Sequence, residues 1–227
     1  MSSVPYTLKP DRFSSHTLLL EHFPSPGGGS RVLDVGAGEG YLSRILAARG
    51  YQVVCLAAPG LPPGVPPGVA LIQADLDLQI PEAGCGFSFV LCGDVLEHLR
   101  DPLAVLRWLR GLLGPGGRLV TSLPNSGHAY FRLNVLLGRF PSHARGLFDR
   151  THLHFFTWRG WNQLLAEAGF RIEAVRPTAV PFGLVLPRWA DSLAVRLLER
   201  ISYGLGRIWK TMFAYQFVVT ARPHPGT

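Results

Sequence analysis

Residues 31–42, RVLDVGAGEGYL, decide the fold because they join a short apolar run to three glycines at alternate positions. The run 32–35 has the length and composition of a buried strand. Gly36, Gly38 and Gly40 have no Cβ, so the chain can turn tightly there and a ligand can lie against the backbone. A helix that starts directly after such a turn points its amide groups at that ligand. The stretch therefore predicts a nucleotide-type site in the first strand-to-helix crevice of an α/β sheet.

The rest of the chain alternates short apolar runs with helical patterns, as a parallel sheet with helices on both faces requires. Asp101 and Pro102 are typical of a helix N-cap and first turn, and they predict a helix over 102–113 that stops at the GPGG of residues 114–117. The proline-rich residues 59–68 predict an extended loop after the second strand. The predicted strands cover residues 32–35, 53–57, 70–73, 87–92 and 119–123.

The composition of the chain restricts its partners and compartment only loosely. The 227 residues carry a formal net charge of +7, but the arginines are scattered rather than grouped, and no nucleic-acid-binding motif accompanies them. Cys55, Cys85 and Cys92 lack metal-type spacing, and two of them lie in apolar runs, which indicates a reducing compartment. The opening residues lack the basic start and apolar core of a secretory signal, so we expect a cytoplasmic protein with no nucleic-acid partner.

Four motifs in a fixed order extend the interpretation of the glycine turn. They are VLDVGAGEG at 32–40, LIQADL at 71–76, FSFVLCGDVLEHLRDP at 87–102 and LGPGGRLVTSLPN at 113–125. In this order the chain resembles the class I S-adenosylmethionine-dependent methyltransferases, above all the branch with the ubiquinone-type O-methyltransferases and methyltransferases of bacterial glycan and lipid clusters. The resemblance implies a doubly wound, Rossmann-like α/β fold, with a mostly parallel seven-stranded sheet and a C-terminal antiparallel strand. It also implies S-adenosylmethionine as the cofactor.

The same resemblance implies which residues hold the cofactor. Asp34 and the glycine turn would lie at its methionine end, Asp75 and Leu76 at its adenine, and Cys92 and Gly93 beside it after the fourth strand. A ligand with a sulfonium, an ammonium and a carboxylate can use both a nearby acid and backbone N–H groups. The implied cofactor-binding residues are Asp34, Gly36, Ala37, Gly38, Gly40, Asp75, Leu76, Cys92 and Gly93.

Ala57 departs from the family pattern. That pattern has an acidic residue at the end of the second strand to hold the ribose hydroxyls, where this chain reads YQVVCLAAPG. A lost charge-assisted hydrogen bond costs about 1.5–3 kcal/mol, so weaker cofactor binding is the direct expectation. Three outcomes stay open: another group substitutes, the proline-rich loop closes the site differently, or the cofactor has been lost.

Residues 148–161, FDRTHLHFFTWRGW, form the second group of candidate site residues. They are similar to the DRTHLRFFT run of the same branch, which implies a loop over the methyl group. Methyl transfer to a hydroxyl needs an aligned nucleophile and a base, so His152 is the candidate base, at an unperturbed pKa of about 6.5, with Asp149 as its orienting partner. Asp94 is the next candidate. A structural role for these residues, in holding the loop to the sheet, stays open.

Glu97 and His98 raise the question of a metal site. Adjacent residues of a helix point in different directions, and the sequence shows no third ligand nearby. We therefore expect no metal, and a role for Glu97 at the start of a helix.

Residues 188–212 form a basic amphipathic segment, in which apolar residues recur at helical spacing with arginines between them. One interpretation is a pair of helices, broken near Gly204 and Gly206, that packs on the substrate side before a last strand over 213–219. The other interpretation is an interfacial contact with a membrane or a lipid-linked substrate, since such a helix suits a headgroup boundary.

The sequence as a whole predicts a single domain over residues 1–227, with an N-terminal extension over 1–30, a cofactor-binding half over 31–125 and a substrate-side half over 126–227. We predict methyl transfer from S-adenosylmethionine to a small or lipid-linked acceptor, on oxygen, with peripheral membrane contact as an open extension. Two other classes stay open: a binding module that has lost the cofactor, and a nicotinamide-dependent oxidoreductase. Tyr41 counts against the latter, because a dinucleotide fingerprint has a third glycine there.

Overall fold

One sheet of seven strands carries the residues that the sequence singles out. The computed structural model describes residues 11–60 and 65–224. The strands are β1 Arg31–Val35, β2 Gln52–Ala57, β3 Ala70–Gln73, β4 Phe87–Gly93, β5 Leu113–Pro124, β6 Phe170–Pro177 and β7 Gln216–Pro223. Their order is β3-β2-β1-β4-β5-β7-β6, and neighbours are parallel except that β7 is antiparallel to both β5 and β6. The predicted mostly parallel sheet with a C-terminal antiparallel strand is confirmed.

Helices connect these strands. The α-helices of the described residues are α1 Ser15–Leu20, α2 Tyr41–Ala48, α3 Pro102–Leu112, α4 Ala129–Leu136, α5 Trp158–Glu167, α6 Phe182–Val185, α7 Leu193–Ile208 and α8 Lys210–Phe213. Asp101 caps α3 as predicted, because its Oδ1 accepts a hydrogen bond from the Ala104 amide at 2.9 Å. The last strand begins at Gln216 rather than at residue 213, since α8 occupies the residues before it.

The sheet buries both of its faces, because successive side chains of a strand point to opposite sides. In β1, Leu33 and Val35 join one apolar cluster, which includes Leu106 of α3 and Trp161 of α5. Val32, which precedes Leu33 in the strand, joins a second cluster with residues of α1 and α2. The two-sided covering accounts for the nearly continuous apolar strands of the sequence.

The end of α3 differs from the sequence prediction. The helix ends at Leu112, and the GPGG of residues 114–117 belongs to β5 instead of forming a separate stop. A Cβ on Gly117 would lie only 2.7 Å from the carbonyl oxygen of Phe87 in β4. The glycine therefore permits two strands to approach closely at this point.

The predicted break in the amphipathic segment is wrong. α7 continues without a break through Gly204 and Gly206 to Ile208. The backbone leaves the helical region at the C-cap residue Trp209, with φ −135° and ψ 76°. A Cβ on Gly206 would lie 3.1 Å from the Cβ of Pro177, at the end of β6. This glycine brings the helix close to the sheet rather than interrupting it.

Parts of two predicted segments lie outside the described residues. They are residues 61–64 of the predicted proline-rich loop and residues 1–10 of the predicted N-terminal extension, which otherwise contains α1. Within the described ranges, no helix combines the length and the apolar character needed to cross a bilayer.

A substitution at Trp161 tests the packing of α5 against the sheet. Its side chain is fully buried, and its indole N–H donates to the carbonyl of Pro124 at 2.7 Å. We expect Trp161→Ala to lower the free energy of unfolding by about 3–5 kcal/mol in urea denaturation, because a large cavity forms and a buried carbonyl loses its donor. Trp189→Ala is the matched control, since Trp189 is 65% exposed. Equal losses in both variants would contradict this packing.

Candidate active site

The glycine turn after β1 depends on glycine for its backbone geometry. Gly36, Gly38 and Gly40 have φ angles of 70°, 52° and 70°, in the left-handed region that other residues rarely adopt. A Cβ on Gly36 would lie 2.4 Å from Cγ2 of Val95, whereas a Cβ on Gly38 would make only an ordinary contact, 3.8 Å from the carbonyl oxygen of Gly36. The amide of Gly36 donates to the carbonyl of Leu56 at 2.8 Å, which ties the turn to β2. The turn is thus fixed on the sheet side and accessible at Gly38.

Asp34 lies at the end of β1 as a buried carboxyl group. The hydroxyl of Ser43, in α2, donates to its Oδ2 at 2.5 Å and lies 2.9 Å from the sulfur of Cys55. Burial raises the pKa of Asp34 to about 6, and the hydrogen bonds from Ser43 oppose that shift. A nearby cation would therefore stabilise the charged form of this carboxyl group.

A small cavity of about 120 Å³ lies against the glycine turn. Its walls contain five predicted cofactor-binding residues, Asp34, Gly36, Ala37, Gly38 and Gly93, together with His16, Glu39, Tyr41, Leu42 and Asp94. The remaining glycine of the turn, Gly40, is the N-cap of α2. The structure thus brings the predicted methionine-end residues together around one space.

The predicted adenine-side residues lie further along the strand ends. Ala57 is buried at the end of β2, and its carbonyl accepts the amide of Ala74 at 3.1 Å. Asp75 is exposed, and its Oδ1 accepts the amide of Asp77 at 3.0 Å. Leu76 and Cys92 pack in the apolar core. Among the described residues, these four are not part of the small cavity's wall, so their contact with a cofactor stays a prediction.

Asp94 follows β4 and lies between two cavities. Its φ of 54° is unusual for a residue with a side chain. Its Oδ1 accepts hydrogen bonds from the hydroxyl of Ser122 in β5, at 2.5 Å, and from Nε2 of Gln216 in β7, at 2.9 Å. Asp94 lines both the small cavity and a larger one. Its carboxyl group is thus held by two strands at the point where the cavities meet.

The larger cavity, of about 510 Å³, extends from Asp94 to the loop that precedes α5. Polar side chains form much of its wall, and Leu184 and Val185 of α6 form an apolar part of it. The polar lining includes Asp94, Glu97, His98, Asp149, Thr151, His152, Tyr215 and Gln216. All three predicted catalytic residues, His152, Asp149 and Asp94, therefore lie around one space.

His152 is a neutral base within this cavity. Its side chain is only 7% exposed, and its Nε2 lies 3.9 Å from Oε1 of Glu97. Burial and the neighbouring imidazole of His98, with ring centroids 4.7 Å apart, lower the pKa of His152 to about 4, although the charges of Asp149 and Asp94 oppose the shift. The expected titration at about 6.5 is therefore moved downward, so the imidazole is neutral at pH 7 with a free lone pair, and it is a weaker base than an exposed imidazole.

Asp149 acts on His152 through its charge, which raises the pKa of the imidazole. Its Oδ1 accepts hydrogen bonds from the amide and the hydroxyl of Thr151, at 2.8 and 2.7 Å, and the Thr151 hydroxyl lies 3.1 Å from Nδ1 of His98. A second carboxylate, that of Glu97, also lies beside His152, at 3.9 Å. The role of Asp149 as the orienting partner of His152 stays a prediction.

His152 lies beside Glu97 and His98 as a third residue of a type that binds metals. The expectation that these two residues lack a third ligand is therefore wrong. Glu97, His98 and His152 each offer one ligand atom, and these atoms lie within 4.8 Å of one another. The first two belong to the short 3-10 helix Leu96–His98, and the third comes from a loop that donates two amide hydrogen bonds to the Glu97 carbonyl. This set of residues could hold a divalent metal ion.

Sequence reasoning missed several residues of the site. His16 reaches the small cavity from α1, and Tyr215 and Gln216 reach the large one from the start of β7. The spacing from Glu97 to His152 carries no local signal, because tertiary folding alone brings the two residues together. Glu97, four residues after the end of β4, was considered from the sequence only as a metal ligand or a helix-start residue, and not as a partner of His152.

The fold and the two adjoining cavities define a Rossmann-like domain with a cofactor site after β1. The model of the family described as "Methyltransferase domain" matches residues 11–175. The ubiquinone biosynthesis O-methyltransferase of Xanthomonas axonopodis pv. citri is 40% identical over 190 residues, which are 77% of this chain and 74% of that protein. The chain therefore belongs to the methyltransferase-domain family, and it is an S-adenosylmethionine-dependent methyltransferase.

Solved structures agree on the fold. An S-adenosylmethionine-dependent methyltransferase from Mesorhizobium loti has a TM-score of 0.59 at 19% identity and covers 92% of this chain and 98% of its own. A Burkholderia thailandensis 1,6-didemethyltoxoflavin-N1-methyltransferase, solved with that substrate and S-adenosylhomocysteine, has a TM-score of 0.59 at 22% identity, over 92% of this chain and 76% of its own.

The residues of the small cavity fit the methionine end of S-adenosylmethionine. The carboxyl groups of Asp34 and Asp94 are of a kind that would bind its ammonium and sulfonium cations, and the imidazole of His16 is of a kind that would bind its carboxylate. Because Gly38 has no Cβ, a ligand there can lie against the backbone. Ala57 has a methyl group at the end of β2, where the family pattern has a carboxylate for the ribose.

A substitution at Gly38 tests whether the cofactor binds in the small cavity. We expect S-adenosylhomocysteine to raise the melting temperature of the protein, because binding to the folded state alone stabilises it by about 2.7 kcal/mol at a hundred times Kd. In Gly38→Val the side chain fills the cofactor space, and most of the shift is lost. Gly138→Val is the control, since Gly138 has a similar φ of 68° and open surroundings. A full shift in Gly38→Val would place the cofactor elsewhere.

A substitution at Ala57 tests whether the end of β2 faces the ribose of the cofactor. We expect Ala57→Asp to bind S-adenosylhomocysteine about tenfold more tightly in calorimetry, because a carboxylate at the end of β2 can pair with the ribose hydroxyls. Ala58→Asp, at the exposed next residue, is the control. An unchanged or weaker affinity of Ala57→Asp would mean that other groups hold the ribose.

Proposed function

We propose that the chain methylates an oxygen of a small or lipid-linked acceptor that binds in the larger cavity. The observation that carries the proposal is the position of Asp94, whose carboxyl group lines both cavities. An acceptor in the larger cavity would meet the methionine end of the cofactor there. The polar inner lining suits a hydroxyl group, and the apolar wall of α6 suits the body of an organic acceptor.

In this proposal His152 is the general base. When bound, S-adenosylmethionine would supply a methyl carbon activated by its sulfonium, and Asp34 and the glycine turn would hold its methionine end. His152, which is neutral at pH 7, takes the hydroxyl proton, and Glu97 stabilises the imidazolium that forms. Asp94, fixed by Ser122 and Gln216, positions the acceptor beside the cofactor.

The relative from Xanthomonas supports the choice of oxygen, because it is an O-methyltransferase of ubiquinone biosynthesis. The thiols support a reducing compartment, since Cys55, Cys85 and Cys92 are all free. We place the chain in the cytoplasm on these grounds, with peripheral contact at the inner face of the membrane.

His152→Ala tests the base. With an acceptor that the wild type methylates, we expect kcat to fall about 10²-fold or more while the affinity for S-adenosylhomocysteine is kept. The wild-type rate should stay flat as the pH falls through about 6.5, the unperturbed value, and decrease only towards about 4.

His154→Ala is the matched control for this test. The Nε2 of His154 lies 2.9 Å from the carbonyl of Leu99, and its ring stacks on Phe156, so we expect a loss of stability with kcat nearly unchanged. A near-normal kcat in His152→Ala would overturn the base assignment. A rate that a chelator abolishes and a divalent cation restores would make His152 a metal ligand instead.

A further inference from the structure

The amphipathic helix α7 faces the protein with its smaller and more polar side. The inward residues Val195, Glu199, Ser202 and Gly206 recur at helical spacing. The Glu199 carboxylate accepts the amide of Gly183 at 3.2 Å, and the Ser202 hydroxyl accepts the amide of Val180 at 3.0 Å. These bonds fix the rotation of α7 about its own axis.

The large apolar side chains of α7 consequently point to solvent. We name them the α7 face: Leu193, Leu197, Ile201, Leu205 and Ile208. Each of them is between 41% and 85% exposed, and their spacing of four and three residues places them in one stripe. Single exposed apolar residues are ordinary, but a continuous stripe of this size indicates a binding surface.

Cationic side chains border this stripe. Arg196, Arg200 and Arg207 are exposed, and helical spacing places all three along one side of the α7 face. Glu199, the one acidic residue of α7, points inward. Trp189 and Trp209, at the two ends, are 65% and 55% exposed, and tryptophan suits a boundary between an apolar and a polar phase.

The α7 face and the larger cavity lie at the same edge of the sheet. The segment α6–α8 leaves the end of β6 and returns to the start of β7, beside the end of β5. Leu184 and Val185 of α6 line that cavity and are also 47% and 65% exposed. The mouth of the cavity and the exposed apolar surface are therefore neighbours.

We propose that the α7 face binds an anionic lipid membrane, and that the acceptor is an amphiphile that enters the larger cavity from that membrane. The apolar stripe enters the acyl boundary while the arginines contact anionic headgroups. A second copy of the chain is a poorer occupant, because a second α7 offers no outward carboxylate to these arginines. The acceptor part of this inference rests on the function proposed above, whereas the membrane contact does not.

Vesicle flotation tests the surface without any acceptor. We expect the full chain to float with phosphatidylcholine vesicles that contain phosphatidylserine, and to lose binding without phosphatidylserine or at high salt, where the field of the headgroups is screened. Leu197→Glu combined with Ile201→Glu should weaken binding at least about tenfold. Arg196→Gln and Arg200→Gln should each weaken it about fivefold, the equivalent of about 1 kcal/mol per cationic residue.

Leu78→Glu is the matched control, since Leu78 is 78% exposed and lies in the loop after β3. It should float as the wild type does. All variants should keep their melting temperature and its shift with S-adenosylhomocysteine, which separates membrane binding from the cofactor site. Wild-type protein that fails to float at low salt, or a Leu197→Glu/Ile201→Glu variant that floats normally, would overturn the proposal. So would a wild-type dimer in solution that this double variant converts to monomer.

Discussion

The two hydrogen bonds that Asp94 accepts, from Ser122 and Gln216, are the constraint on which the geometry of the site depends. They join the end of β4 to β5 and β7, and they hold a residue whose left-handed backbone is unfavourable without glycine. Hydrogen bonds to a charged group contribute about 1.5–3 kcal/mol each, which is enough to offset that strain of about 1–2 kcal/mol. The point at which the two cavities meet is consequently fixed to the sheet.

The sequence predicted best what depends on local pattern. The glycine turn, the cap at Asp101 and the order of motifs need only neighbouring residues, and the structure has the strands and the small cavity where they indicate. The pairing of His152 with Glu97 could not be predicted in the same way, because 55 residues separate them and only the folded loop brings them within 3.9 Å. The glycines of residues 114–117 were interpreted as a helix stop for the same reason, since the strand β4 that they approach is distant in sequence.

An amphipathic pattern states that one side of a helix is apolar, but not which way that side faces. In α7 the orientation is set by Glu199 and Ser202, whose side-chain oxygens accept hydrogen bonds from backbone amides in and next to α6. Burial of these two polar groups is tolerated because both are hydrogen bonded. The apolar residues are left on the outside as a geometric consequence, and no window of the sequence alone contains that information.

The long excursion α6–α8 leaves and rejoins the sheet through a single closed junction. The amide of Thr178, just after β6, donates to the carbonyl of Gln216 at 2.9 Å, and its carbonyl accepts the amide of Tyr215 at 3.2 Å. Its hydroxyl accepts the Gln216 amide at 3.0 Å. The segment thus begins and ends at one point of the sheet, and it also packs against the sheet where Gly206 lies beside Pro177 of β6. None of the strand pairs of the described sheet includes a residue of α6, α7 or α8, so the outward-facing part of this segment can vary in sequence without altering the strand register around the cofactor site.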